Sequence, residues 1–299
     1  MRRLSPTVLA FVALLTVAAA CGEDGEAAER GAVSRLRVVA TTTQITDFIR
    51  VVGGDHVDVY GILKPNVDAH DFEPSPADIA ELAAAKIIVK NGIGLEEWFD
   101  STIKNAGAKA TVVEATAGVT LRDNDPHVWQ DPRNAKVMVR NIAAALAAAD
   151  PAHRSDYEAN EAAYAAELDR LDAEIAAQIA GLANKKIVTN HDAFGYYIER
   201  YGLEFVGSII PSFDSQAELS AQDVSNVVKL IKDTGVKAVF SETSLPPKTA
   251  EAIGRDAGVT VVAGDDALYG DSLGPPGSAG DTYVKMLRHN TKAIVDRLR

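Results

Sequence analysis

Short runs of β-branched and other apolar residues recur at 36–41, 57–61, 87–90 and 111–113, and most are followed by amphipathic stretches of helical period. Period-2 and buried apolar runs of this length predict strands, and their alternation with helices predicts βα units around a largely parallel sheet. The rhythm then pauses. From 150 to 182 one helical pattern runs without a break, with Tyr157, Tyr164, Leu168, Leu171, Ile175, Ile179 and Leu182 on a single stripe. Asp150 is placed to cap it and Pro151 suits a first helical position. About 30 residues at 1.5 Å rise make a rod of roughly 45 Å. The βα rhythm resumes with strands predicted at 186–190, 204–209, 236–241 and 259–263, and helices at 221–234 and 281–298. No convincing sequence repeat relates the two halves, although they match in size and build. The expected fold is α/β: two lobes, each a mostly parallel sheet with flanking helices, joined by one long rigid α-helix. The boundaries read as lobes at 36–149 and 184–299, with the linking helix at 150–183.

The first 35 residues follow a different pattern. Arg2 and Arg3 precede an apolar run at 8–20 that ends Val17-Ala18-Ala19-Ala20-Cys21. This is the basic, apolar and small-residue order of an export signal, 1–20, and it is too short for a permanent membrane helix. Cys21 is the single cysteine, so no internal disulfide can form. An unpaired cysteine in an exported chain needs a role. The residues before it resemble a lipobox, in which the cysteine becomes the lipid-modified first residue; ordinary cleavage beside an incidental thiol is the plainer alternative. Residues 21–35 are small, charged and aperiodic, as a flexible tether should be. The expectation is an exported protein, lipid-anchored to the outer face of the cytoplasmic membrane or its periplasmic side.

Charge narrows the partners. The formal net charge is −12, and loss of Arg2 and Arg3 with the signal makes it (30 − 2) − 42 = −14. Such a charge repels a nucleic-acid backbone and argues against it as a ligand.

The candidate chemistry lies in three histidines. His70, His127 and His191 each sit between a predicted strand and the next helix start, marked by Ser75-Pro76 after the first and Asp131-Pro132 after the second. Loops beyond the carboxyl ends of parallel strands are where ligands bind in open α/β sheets. Neutral imidazole is the commonest metal ligand. Two histidines fall in the first lobe and one in the second, so a metal bound by all three would sit between the lobes. The fourth ligand of a tetrahedral site must be a carboxylate or water. Glu242, Asp265, Asp266 and Asp271 are all available, and spacing does not choose among them. His56, His153 and His289 have the ordinary reading of turn and helix residues.

Three segments carry a resemblance to a known family: Asp68-Ala69-His70-Asp71-Phe72-Glu73-Pro74-Ser75-Pro76, Asp125-Pro126-His127-Val128-Trp129-Gln130-Asp131-Pro132 and Thr189-Asn190-His191-Asp192-Ala193-Phe194-Gly195-Tyr196. With Lys237-Ala238-Val239-Phe240-Ser241-Glu242 and Gly270-Asp271-Ser272-Leu273, they resemble the signature stretches of the metal-binding lipoproteins, or solute-binding proteins, of zinc/manganese ABC transporters (cluster A-I type). The resemblance runs from about Leu36 to the end of the chain. It implies two α/β lobes bridged by one long helix, metal ligation by His70, His127, His191 and Asp271, and a supporting role for Glu242 behind a ligand. It also implies capture of a divalent metal ion and its delivery to an ABC permease by a monomer, without catalysis. Three imidazoles and one carboxylate favour Zn2+ over Mn2+, which prefers more oxygens. Against zinc, the stretch 116–125 is short and lacks the histidines that many zinc members carry before the second ligand. Two rivals come from other classes. A zinc hydrolase would use three histidines and an open position, but the chain has no HExxH motif. A surface adhesin with a structural metal would be expected to show repeats or aromatic patches, and neither is evident.

Overall fold

The computed structural model describes residues 35–299. The export signal, Cys21 and the tether as far as residue 34 lie outside the described residues. In chain order the elements are β1 (Leu36–Ala40), α1 (Thr43–Gly53), β2 (Val57–Gly61), α2 (Pro76–Ala84), β3 (Ile87–Lys90), α3 (Phe99–Ala106), β4 (Thr111–Glu114), α4 (Pro132–Ala149), α5 (Arg154–Ala180), β5 (Lys186–His191), α6 (Gly195–Tyr201), β6 (Glu204–Ile210), α7 (Ala221–Thr234), β7 (Ala238–Phe240), α8 (Lys248–Ala257), β8 (Thr260–Val262) and α9 (Tyr283–Leu298). They make two four-stranded sheets, ordered β2-β1-β3-β4 and β6-β5-β7-β8, and every strand pair is parallel. The second order is the first with four added to each number. The two lobes therefore share one topology without an evident sequence repeat.

Alternation within each strand sorts the core into layers. In β1 and β3, Val38, Ala40, Ile87 and Val89 face a large central core, while Val39 and Ile88 face the outer helices α2 and α3 with Leu82 and Phe99. In β5 and β7, Ile187, Ala238 and Phe240 join that same central core, while Val188 and Val239 pack outward against α7 and α8. The inner faces of both sheets thus feed one continuous apolar interior. The stripe of α5 runs through it: Tyr157, Tyr164, Leu168, Leu171, Ile175 and Ile179 are all buried against α1, α4, α6 and α9. Each such side chain contributes about 1.5–3 kcal/mol of burial, so the stripe holds the long helix against both lobes.

Local signals set several helix starts. Ser75 and Asp78 form a reciprocal capping box under Pro76, Ser220 and Asp223 form another, and the Asp131 side chain accepts the Arg133 amide ahead of α4. The start of the long helix differs from the sequence reading. A 3-10 turn, Pro151–His153, precedes it, and the Asp150 side chain caps no backbone amide. Its carboxylate instead accepts from His153 Nδ1 and the Tyr157 hydroxyl, each at 2.7 Å. Two side-chain partners outcompete the backbone, and α5 begins at Arg154. Among the described residues, no helix is long and apolar enough to cross a membrane.

Candidate metal centre

The site forms where loops at the carboxyl ends of both sheets meet. His70 lies after β2, and its backbone N–H donates to Asp68 Oδ1 at 2.9 Å, folding the chain back so that the imidazole turns inward. His127 lies after β4 in the same local motif: its N–H donates to Asp125 Oδ1 at 3.0 Å. A repeated Asp-x-His pattern therefore builds both first-lobe stations. His191 is the last residue of β5 itself rather than the residue after it, and its ring is fixed by the strand. Asp271 lies beyond β8 and a short 3-10 turn, Gly264–Asp266.

These four side chains converge. One ligand-type atom from each of His70, His127, His191 and Asp271 can be chosen so that all lie within 4.8 Å of one another. Asp271 stands at the centre, with Oδ1 at 3.2 Å from His127 Nε2 and Oδ2 at 3.3 Å from His191 Nε2 and 3.6 Å from His70 Nε2. His70 and His127 bring their Nε2 atoms to 3.3 Å. The side chains of His127, His191 and Asp271 are sealed from solvent, and His70 alone keeps a sliver of exposure, 8%. Despite the short separations, His191 Nε2 and both carboxylate oxygens of Asp271 make no aligned hydrogen bond. Charged rings and the Asp271 carboxylate attract one another at this range, but with poor alignment in a sealed site. A cation among the four side chains would engage all of their inward donor atoms.

Behind the inward nitrogens, two carboxylates fix two rings. Asp125 Oδ1 lies 2.7 Å from His127 Nδ1, and Glu242 Oε1 lies 2.8 Å from His191 Nδ1 while also accepting the His191 backbone N–H at 3.1 Å. Each pairing turns Nε2 toward the cluster. Glu242 is held close by glycine: a Cβ at Gly270 would fall 2.0 Å from its Oε2.

The charges push the titrations apart. Burial works against a proton on His127, but the Asp271 and Asp125 carboxylates overcome it and push its pKa up to about 9. Burial likewise opposes a charged His191, and Glu242 and Asp271 still hold it well above the usual histidine range. Burial dominates at His70, which moves down. Burial alone would raise Asp271; the neighbouring His191 and His127 charges reverse that and hold it well below the usual carboxylate range.

The remaining candidates separate from this group. Glu242 stands one layer back, touching His191 rather than the cluster. Asp265 and Asp266 sit exposed in the 3-10 turn, with Asp266 facing Arg297 at 3.8 Å. His56 and His153 stack on each other with ring centres 3.9 Å apart, each beside its own aspartate, and the His289 ring nitrogen bonds the Ala267 carbonyl. The role of Asp125 is one that spacing alone had not singled out; the shared Asp-x-His pattern is the signal that exposes it.

The chain is similar to known proteins along nearly its whole length. The profile of the family described as zinc-uptake complex component A, periplasmic, matches residues 38–297. The chain is 29% identical to the iron ABC transporter substrate-binding lipoprotein MtsA of Streptococcus pyogenes serotype M1, over 99% of each chain. It is 28% identical to the manganese ABC transporter substrate-binding lipoprotein PsaA of Streptococcus pneumoniae, over all of this chain and 99% of the relative. The fold superposes with a TM-score of 0.81 on the periplasmic zinc binding protein TroA from Treponema pallidum, at 27% identity, covering 89% of this chain and 99% of that one. The chain belongs to the zinc-uptake complex component A family, the metal-binding solute-binding proteins of ABC importers, and is not an enzyme.

Proposed function

We propose that His70, His127, His191 and Asp271 hold one divalent transition-metal ion between the lobes as transported cargo, and that the loaded protein passes it to an ABC permease. The observation that carries this reading is the buried convergence of four ligand atoms, three histidine and one carboxylate, of which His191 Nε2 and the Asp271 oxygens make no aligned hydrogen bond. A metal ion satisfies them together, and Asp271 closes the fourth position that a hydrolytic water would need. Zinc is the favoured cargo and manganese the alternative, because three imidazole nitrogens and one carboxylate suit zinc better than the oxygen-rich sets manganese prefers. The named relatives span iron, manganese and zinc, so the donor set rather than kinship supports the choice. Export and lipid attachment through Cys21 complete the proposal, keeping a monomer beside its permease.

Uptake requires neutral imidazoles, so the ion displaces protons from His127 and His191 as it enters. The test is metal analysis of protein purified without added metal, followed by competition between Zn2+ and Mn2+. One equivalent of tightly held zinc that manganese fails to displace is expected. Preferential retention of manganese would reverse the assignment, and no stoichiometric binding of either would refute it.

A further inference from the structure

The loop that delivers His127 is anchored by an arginine whose position nothing about the fold alone requires. Asp123 and Asn124 both adopt left-handed backbone, φ 48° and 62°, and Asp125 N–H closes the turn on the Arg122 carbonyl at 2.7 Å. Two central residues at positive φ are the mark of a type I′ turn, and Asp and Asn tolerate them best after glycine. The turn lays the Arg122 side chain over Asp125: Nη1 donates to Oδ2 at 3.2 Å, while Oδ1 of the same carboxylate faces His127 Nδ1 at 2.7 Å. A continuous guanidinium–carboxylate–imidazole chain thus ends in the metal cluster.

Its outer end rests on the other lobe. The Arg122 backbone N–H donates to the Tyr196 hydroxyl at 3.0 Å, and that hydroxyl donates to the Asp125 carbonyl at 3.1 Å. Arg122 Nε lies 3.7 Å from Glu199. Tyr196 and Glu199 are both on α6, and α6 begins with Gly195, where a Cβ would fall 2.1 Å from Arg122 Nη1 and 2.8 Å from Asp125 Oδ2. The missing side chain at 195 is what leaves room for the guanidinium. His191 has no such brace: Glu242 Oε1 serves it, but Glu242 Oε2 has no hydrogen-bond partner.

We propose that Arg122 is a positioning residue of the metal site, acting through Asp125 to hold the His127 ring in its binding orientation, with α6 of the second lobe supplying the space and the contacts that keep the guanidinium in place. This rests on the cargo-site reading above. A guanidinium is charged at all working pH and presents fixed donors, so it fixes the Oδ2 end of a carboxylate whose Oδ1 serves His127. Freed of it, Asp125 and then His127 gain motion, and the ion leaves faster.

The experiment measures Zn2+ affinity and Co2+ absorption for the wild type, Arg122→Gln, Arg122→Lys, Asp125→Asn, the Arg122→Gln/Asp125→Asn double variant and Gly195→Ala. Arg122→Gln is expected to weaken zinc about tenfold, at the lower end of the effect of outer partners on metal sites. It should also shift the visible band of the Co2+ protein, with Arg122→Lys restoring part of both. Gly195→Ala keeps the charge but crowds both the guanidinium and the Asp125 Oδ2 it holds, and should reproduce the loss. In the Asp125→Asn background the arginine change should add nothing. Arg200→Gln, which breaks a pair with Asp172 on the long helix instead, should leave affinity unchanged. A full additional loss in the double variant, or wild-type affinity in Arg122→Gln and Gly195→Ala, overturns the inference. Failure of the wild type to bind zinc or cobalt would instead overturn the cargo-site reading beneath it.

Discussion

The two lobes use one topology to different ends. Strand for strand, β1 to β4 repeat as β5 to β8, yet the loops beyond them carry different chemistry. After β2 and β4 the first lobe places two Asp-x-His turns; after the matching β6 and β8 the second lobe places no histidine, and contributes Asp271 instead. After β1 the chain carries threonines at 41–43, whereas β5 ends in His191. The halves also differ in what holds their ligands. The segment bearing Asp271 belongs to the second half by sequence but is stitched to the first lobe: Trp129 Nε1 and Gln130 Nε2 both donate to the Gly270 carbonyl at 3.1 Å, Leu273 N–H donates to the Thr43 hydroxyl at 2.8 Å, and Asn66 N–H donates to the Ser272 hydroxyl at 2.8 Å. Asp271 is thereby tied to the first lobe as well as to its own, where Leu268 bridges Glu242 and Tyr269 bonds Asn290, while His191 lies within a strand of the second sheet. The segment bearing Asp271 is thus held from both halves.

That contrast can be broken at several points. The largest effect is expected from the proposed ligands: Asp271→Ala or His127→Ala should cut zinc affinity by more than about a hundredfold, beyond the range of outer-partner changes, as read by competition with a chelator. Next, Glu242→Gln should cost about tenfold, because it weakens the acceptor that orients His191. Loss of affinity without loss of melting temperature would place the effect at the ring rather than in the core. Thr43→Val should then loosen the Asp271 segment by about 1–3 kcal/mol, since the Leu273 amide is left buried without an acceptor. Hydrogen exchange at that amide should quicken while Ile187 in β5 stays protected. Equal exchange in both proteins would mean the stitch does not tie Asp271 down. His153→Ala should be the smallest, leaving zinc affinity unchanged because His153 stacks on His56 away from the cluster.

Acidity sharpens the same comparison. The raised pKa of His127 stabilises the metal-free fold in its protonated form; that contribution is whole below about 6.5 and is lost as pH rises through about 9. The depressed Asp271 works at the other end, adding stability above its ordinary range near 3.8 that disappears as pH falls through its lowered value. The metal-loaded protein needs the neutral rings. The gain in melting temperature on adding zinc should therefore widen between about pH 6.5 and about pH 8.5, with proton release measurable by calorimetry in buffers of different ionisation enthalpy. A gain independent of pH would contradict protonated rings in the free site.

Much of this was legible in the chain itself. Strand positions follow from local apolar runs, and the three histidine stations follow from their place between strands and helix caps. The stripe from Tyr157 to Ile179 announces the long helix, since period 3.6 is a local property. What escaped local reading is what depends on distant partners. Asp150 looked like a helix cap, but His153 and Tyr157 take its carboxylate and the helix opens with a 3-10 turn. The choice of Asp271 over Asp265 and Asp266 came from family resemblance, not spacing, because the bonds that position it span 140 residues or more. Arg122 gave no sign at all; its role needs a turn, a carboxylate and a glycine on another lobe to meet.

The central claim is a three-histidine, one-aspartate cargo site, and anomalous diffraction from crystals grown with zinc tests it most directly. One strong peak at the zinc edge among His70, His127, His191 and Asp271, with ligand distances of about 2.0–2.2 Å, is the expected result. A peak at the His56–His153 stack instead, or none within reach of Asp271, would contradict it.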